Sequence, residues 1–378
     1  MKPVEYYKDR EQTYLKHFFL ERYLETVAYH IGFSHREFVY VDCFSGPWRA
    51  GDEQLGDTSI RIALDRLNAV SKGLAERQKY PKIRAIFVEK NPTAFADLQR
   101  VLEAHSGEII TTALPGEFEA NIPRILHEAG TTFAFFFVDP TGWTGFAMEN
   151  LRPILRRANG EVMINFMYDP ISRFLTFQNV SNEESLDRCF GTDDWRSIPD
   201  SPDREAALVS LYVEQVRATG NFRYATYTRI LKPLHDRAYF HLVYATRSPK
   251  GIEEFREVEK RAAKEQETIR ERRQREHRES RSGQIEIDYA SDLPSRGFRD
   301  ERERQLQKAE DKVLDLLADG PFRYEELQPR VLELPLVWKS DLNQILMEGH
   351  RANRFVIDGL GPRERTPKPG CKIRLNTK

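Results

Sequence analysis

Five short apolar runs separated by helical patterns constrain this chain more than any other feature. They are FVYVD (38–42), IRAIFVE (83–89), EIITTA (108–113), FAFFFVD (133–139) and EVMINF (161–166). A helical pattern over 14–31 precedes them. TSIRIALDRLNAV (58–70), PTAFADLQRVLEA (92–104) and the shorter LRPILRRA (151–158) lie between them. A strand apolar on both faces must be covered on both faces, and alternating helices supply that cover in a parallel sheet. The alternation breaks after 166, where 167–205 are rich in turn residues, and a helical pattern follows at 204–220. NFRYATYTRIL (221–231) and AYFHLVYATRS (238–248), separated only by KPLHDR, then read as a hairpin. The expected fold is α/β: a mostly parallel, Rossmann-like sheet that ends in an antiparallel hairpin.

At 378 residues the chain is too long for one core. Residues 253–308 interleave charges of both signs with few apolar residues. They read either as a charged, partly helical linker or as a long helix that meets phosphates through RERRQREHRESR. From 309 the pattern becomes globular again. AEDKVLDLLADG, FRYEELQPRV and KSDLNQILMEGHRANR have helical spacing, and FVIDGL and CKIRL flank the basic, Pro/Gly-rich GPRERTPKPG. Three helices and a β-ribbon outline a winged-helix-like domain, a form that serves nucleic-acid and protein contacts alike. The expected division is therefore 1–252, 253–308 and 309–378.

Lys and Arg number 58 against 59 Asp and Glu, so no global field draws in nucleic acid, and such a contact needs a local patch. Cys43, Cys189 and Cys371 form no CxxC pair, so neither a zinc cluster nor a disulfide framework is expected. MKPVEYYKDREQ has no apolar signal core, and no apolar run approaches the roughly 20 residues that span a bilayer. A cytoplasmic protein away from the membrane is the expectation.

Four features fall at the carboxyl ends of the expected strands, where open α/β sheets bind ligands. The first is Asp42-Cys43-Phe44-Ser45-Gly46-Pro47. Its glycine admits close backbone approach and its turn aims amide N–H groups at a ligand, although an ordinary turn has the same composition. Glu89 ends FVEKNP and is placed to accept both hydroxyls of a ribose, with Asn91 beside it. No GxGxxG accompanies it, which lowers a nicotinamide reading. Gly116-Glu117 after the third strand suits a surface loop or an acid meeting an adenine amino group. Asp139-Pro140 ends FAFFFVDPTGW, and a carboxylate at the edge of a dry core costs free energy unless paired or solvated. It reads as a helix-capping turn or as an acceptor for an exocyclic amine. His235, His241 and Cys189 are scattered and read as structural.

The ordered set YLKHFFLERYL, VDCFSGPW, FVEKNP, FFFVDPTGW, INFMYDPISRF, FGTDDW and HLVYATRSPKG resembles the three-Cys-motif partner protein family over about residues 5–255. That family looks like class I S-adenosylmethionine-dependent methyltransferases, whose sheet usually ends in an antiparallel hairpin. The resemblance implies S-adenosylmethionine as cofactor and a three-cysteine, radical-SAM-like protein as partner. A more distant similarity is to ribosomal-RNA adenine-N6 methyltransferases, through Lys16-His17, the Asp42 to Gly46 loop and Asp139-Pro140. The implied cofactor set is Asp42, Phe44, Ser45, Gly46, Glu89, Asn91 and Glu117. The implied catalytic set is Asp139, Pro140, Lys16 and His17, with no metal. Two positions depart from the pattern: Trp48 stands where a second loop glycine is expected, and Gly142 where a stacking aromatic is, with Trp143 one place later. The expected activity is methyl transfer to an amino group of DNA or RNA. The alternative is a non-catalytic adaptor that recruits the partner to nucleic acid.

Overall fold

The apolar runs become the strands of one sheet. A computed structural model describes residues 1–46, 58–140, 142, 147–176, 180–282 and 294–376. Helix α1 (Glu11–Ser34) leads into β1 (Glu37–Asp42), α2 (Ser59–Ala75), β2 (Lys82–Glu89), α3 (Pro92–Glu103), β3 (Ile110–Pro115), α4 (Phe118–Ala129), β4 (Ala134–Val138), α5 (Met148–Leu155) and β5 (Gly160–Phe166). Then follow α6 (Tyr168–Thr176), α7 (Val180–Phe190), α8 (Arg204–Gly220), β6 (Tyr224–Leu231) and β7 (Ala238–Thr246).

The sheet order is β3-β2-β1-β4-β5-β7-β6. Strands β1 to β5 are parallel, and β7 runs antiparallel to β5. This is a mostly parallel, Rossmann-like sheet of methyltransferase type. Phe135, Phe136 and Phe137 of β4 are buried, as are Val39, Tyr40 and Val41 of β1. Each such side chain withdrawn from water contributes roughly 1.5–3 kcal/mol, which is why the central strands read as unbroken apolar runs. Local chemistry sets the ends of the helices. Asn91 caps α3 by accepting from Thr93 N and Ala94 N, with Pro92 in the first turn, where its missing N–H costs nothing.

Residues 167–205, turn-rich in sequence, contain the helices α6 and α7. Their folding follows from sparse anchors: Ile171 on α6, and Leu186, Cys189 and Phe190 at helical spacing on α7, are all buried. Such few apolar positions among Ser, Asn and Glu make a weak periodic signal.

The chain divides into two units, one of residues 1–225 and 229–247 and the other of 226–228 and 248–378. The second unit opens with α9 (Pro249–Ser282) and continues with α10 (Arg296–Ala318), β8 (Phe322–Arg323), α11 (Tyr324–Val331), α12 (Lys339–Arg351), β9 (Phe355–Asp358) and β10 (Lys372–Leu375). Over α9 the charged stretch is thus helical, with a buried stripe of Ile252, Phe255, Val258, Ala262 and Ile269. Among these, Arg256 and Glu259, each 1% exposed, pair at 2.7 Å, and Glu259 also accepts from Leu336 N and Trp338 Nε1. Strand β10 lies between β8 and β9, antiparallel to both. Val313, Leu317, Leu327, Val331, Leu342, Leu346, Phe355 and Ile373 form the core beneath.

Gly349 is where this core is tightest, because a Cβ there would stand within the buried Phe355 ring. In an unobstructed helix Gly→Ala gains about 1 kcal/mol. Here Gly349→Ala is expected to destabilise by about 2 kcal/mol through overpacking, read as a lower urea midpoint. A raised midpoint contradicts this packing.

Candidate functional site

The strand order reverses between β1 and β4: β1 leads outward to β2 and β3, and β4 leads the other way to β5. Ligands of open α/β sheets sit at such a switch, outside the carboxyl ends of the strands. Asp42 ends β1, Glu89 ends β2 and Asp139 follows β4 directly. Parallel registers place all three acids at the same edge of three adjacent strands.

Asp42 is fully buried, and burial pushes its pKa up to about 6. The Ser59 hydroxyl, donating at 2.9 Å, and the Phe44 amide, at 3.2 Å, pull it back down, while the negative charge of Asp139 adds to the rise. The turn after β1 is held by Ser45, whose amide donates to Val88 O at 2.8 Å and whose hydroxyl donates to Asp42 O at 3.2 Å. Phe44 is half-buried with its ring 5.0 Å from that of Phe118, and Gly46 is half-buried.

Asp139 takes two donors. Lys16 Nζ on α1 lies 2.6 Å from Oδ2, and Asn165 Nδ2 near the end of β5 lies 2.7 Å from Oδ1. The ion pair is largely shielded, at 15% and 14% side-chain exposure. Lys16 also lies 5.9 Å from the Phe240 ring centroid. Asn165 is 2% exposed, and its Oδ1 has no hydrogen-bond partner among the described residues. A buried acceptor left open beside a carboxylate is costly and uncommon in a folded protein.

The remaining sequence-derived residues are placed as follows. Glu89 is 5% exposed, and its Oε1 accepts from Asn91 N at 2.5 Å. Asn91 spends its side-chain oxygen on capping α3. Gly116 adopts φ +103, a left-handed conformation suited to glycine, and its amide donates to Glu89 O at 3.0 Å. Glu117 is exposed just before α4 and makes no side-chain cap. Pro140 is buried behind Asp139. His17 is 6% exposed and pairs through Nδ1 with the Tyr7 hydroxyl at 3.3 Å, on a different face of α1 from Lys16. Burial, then the charge of Lys16, hold its pKa well below the usual histidine range, so it is neutral at physiological pH. Pro47, Trp48, Thr141 and Trp143 lie outside the described residues.

The structure thus joins Lys16 to Asp139, Asp42 to Phe44 and Ser45, and Glu89 to Asn91. Sequence reading passed over Asn165 and Ser59. Asn165 carried a usable signal, a polar side chain near the end of an otherwise apolar strand in INFMYDP. Ser59 had none beyond its place at a helix start. No group of three or more His, Cys, Asp or Glu among the described residues is arranged to hold a metal ion. No described helix is long and apolar enough to cross a membrane.

No family model matches this chain, and no curated protein matches it. Two of the solved structures similar to it are both methyltransferases by name. The citrinin polyketide synthase CMeT domain shares 12% identity at a TM-score of 0.29, covering 57% of this chain and 47% of that one. The chain therefore spans about half the length of that structure. A loganic acid methyltransferase with SAH shares 10% identity at a TM-score of 0.29, covering 68% of this chain and 83% of that one. Superpositions this loose add nothing to what the strand order itself establishes.

Proposed function

We propose that the first unit binds S-adenosylmethionine at the switch point and transfers its methyl group to an amino group of nucleic acid. The observation that carries this reading is Asp42, a buried carboxylate at the end of β1 that is costly to ionise until a cation arrives. The cofactor's ammonium and sulfonium are such cations. Glu89, with Oε2 uncommitted among the described residues, accepts from the ribose hydroxyls. Phe44 on Phe118, the Ser45-Gly46 turn, Asn91 and Glu117 complete the cofactor set. When bound, the cofactor supplies an electrophilic methyl carbon. The chain's own residues orient the acceptor: Asp139 and the open Asn165 Oδ1 accept its N–H bonds, Lys16 and Pro140 fix Asp139, and neutral His17 supports α1 behind Lys16. Orientation of this kind is the main source of rate in a direct transfer.

The second unit supports the nucleic-acid part. Its order of helix, strand, two helices and two strands, from α10 to β10, supports a winged-helix-like reading. The β9–β10 connection exposes Arg363 and Arg365, which have no ion-pair partner among the described residues. Such groups suit phosphates. A division into 1–252, a charged, partly helical linker over 253–308 and a winged-helix-like domain over 309–378 belongs to this reading. So do a cytoplasmic location and membership of the three-Cys-motif partner family with its radical-SAM-like partner, which rest on the ordered motifs.

One observation favours the adaptor alternative: both oxygens of Asp139 are already engaged. Calorimetry with S-adenosylmethionine and S-adenosylhomocysteine at pH 7.5 separates the readings. Wild-type protein is expected to bind both, and Glu89→Ala to bind at least about tenfold more weakly, since hydrogen bonds to a charged group contribute roughly 1.5–3 kcal/mol. No binding by wild type rejects the enzyme. Binding without methyl transfer to any DNA or RNA selects the adaptor.

A further inference from the structure

We infer that a cationic groove between α9 and α10 in the second unit binds the phosphodiester backbone of single-stranded nucleic acid. The groove has a volume of about 830 Å³ and is lined by α9, by the start of α10 and by Trp338. Lys260, Lys264, Arg275 and Arg278 line it from α9 and Arg302 from α10. With Glu267 and Glu271 between them, these α9 positions recur every three or four residues, so they lie along one helix face.

Seven basic side chains line the groove against two acids, Glu267 and Glu271, so its lining is net cationic. Lys260 and Lys264 are exposed and have no carboxylate partner among the described residues. Glu267, the acid nearest the groove centre in sequence, is occupied by Arg270 at 3.1 Å and by the Ser295 amide at 2.9 Å. Trp338 makes one wall rigid: the Arg302 guanidinium lies 3.6 Å from its ring centroid and 2.7 Å from Asp341, and Lys260 Nζ lies 5.3 Å from the same ring. The result is a row of cations fixed in a concave slot, in a chain whose net charge is only −1.

Shape selects the occupant. Reading duplex DNA requires a protruding helix or ribbon that enters a groove. A slot of this volume lies within the range of ordinary ligand pockets and accepts a few nucleotides of one strand. A row of lysine and arginine along a helix matches successive phosphates and is indifferent to base identity.

This inference rests on the reading that the protein acts at nucleic acid, but its test does not depend on methyl transfer. Fluorescence anisotropy of labelled oligothymidine, twelve nucleotides long and lacking amino groups, is measured on the full chain from 50 to 200 mM salt. Lys260→Gln/Lys264→Gln is expected to weaken binding at least fivefold and to reduce the slope of log K against log salt by about 1.4, since each neutralised phosphate contributes about 0.7 for a single strand. Lys260→Arg/Lys264→Arg keeps the charge and is expected to stay within twofold of wild type, which separates loss of charge from loss of fold. An unchanged slope in the glutamine variant overturns the assignment. So does equal competition by polyglutamate of matched charge, which makes the groove a docking surface for acidic protein. If oligothymidine binds as described while S-adenosylmethionine does not bind, the groove stands and the methyltransferase reading falls.

Discussion

Asp42→Asn is expected to abolish cofactor binding and, at the same time, to make the protein more stable at pH 8. The native carboxyl, with its pKa raised to about 6, is held against the roughly 3.8 of an unperturbed aspartate. A folded-state pKa above the unfolded value means that the stability associated with this group is fully present below about pH 3.8 and is lost as pH rises through 6. A shift of about two units corresponds to roughly 3 kcal/mol, so the ionised carboxylate strains the fold by up to that amount at pH 8. Asparagine keeps an oxygen for the Phe44 amide, donates its own N–H to the Ser59 hydroxyl, which turns to accept it, and removes the charge. Urea unfolding is expected to show Asp42→Asn more stable than wild type by about 1–3 kcal/mol at pH 8, with roughly half the difference at pH 5. Calorimetry is expected to show at least a hundredfold loss of S-adenosylmethionine affinity at pH 8, and wild-type affinity that falls as pH drops below 6. Equal or lower stability at pH 8 would falsify the claim that this side chain is kept for binding at the expense of folding.

Asp139→Ala is expected to cost about 2–4 kcal/mol of stability, because it leaves the shielded Lys16 ammonium and the buried Asn165 amide without their acceptor. Lys16→Met in the same background is expected to recover about 1–2 kcal/mol, since removal of both partners of a shielded pair costs less than removal of one. A double-mutant cycle by chemical denaturation reads this coupling. Additivity within about 0.5 kcal/mol makes the pair an incidental contact. Under the proposed mechanism methyl transfer falls by at least about a hundredfold in the single variant, and the double variant regains stability without regaining activity. That divergence separates a role in orienting the acceptor from one in holding the fold.

Much of the first unit was legible in the chain because central strands of a parallel sheet are apolar on both faces, and β1, β2, β4 and β5 begin and end within a residue or two of their apolar runs. Helices α6 and α7 were less legible because their few anchors sit among polar residues. The buried stripe of α9 was hidden for the opposite reason, since charges crowd every turn and the apolar positions are small or widely spaced. For the site, the placement of Asp42, Glu89 and Asp139 at strand ends could be read directly, because parallel strands put every carboxyl end on one edge. The destination of His17 could not. It is adjacent to Lys16 in sequence, yet the helical turn sends it to Tyr7 while Lys16 reaches Asp139.

By itself the sequence determined the strands, their direction and the chemistry at their ends, because these follow from periodicity of 2 and 3.6 residues and from where charge interrupts an apolar run. Only the tertiary structure decided that Asp42 is buried enough to hold its proton near neutrality, that Asn165 stands against Asp139, and that lysines from one charged helix face a groove. Burial, electrostatic coupling and concavity depend on residues distant in the chain that meet only when the sheet and helices pack.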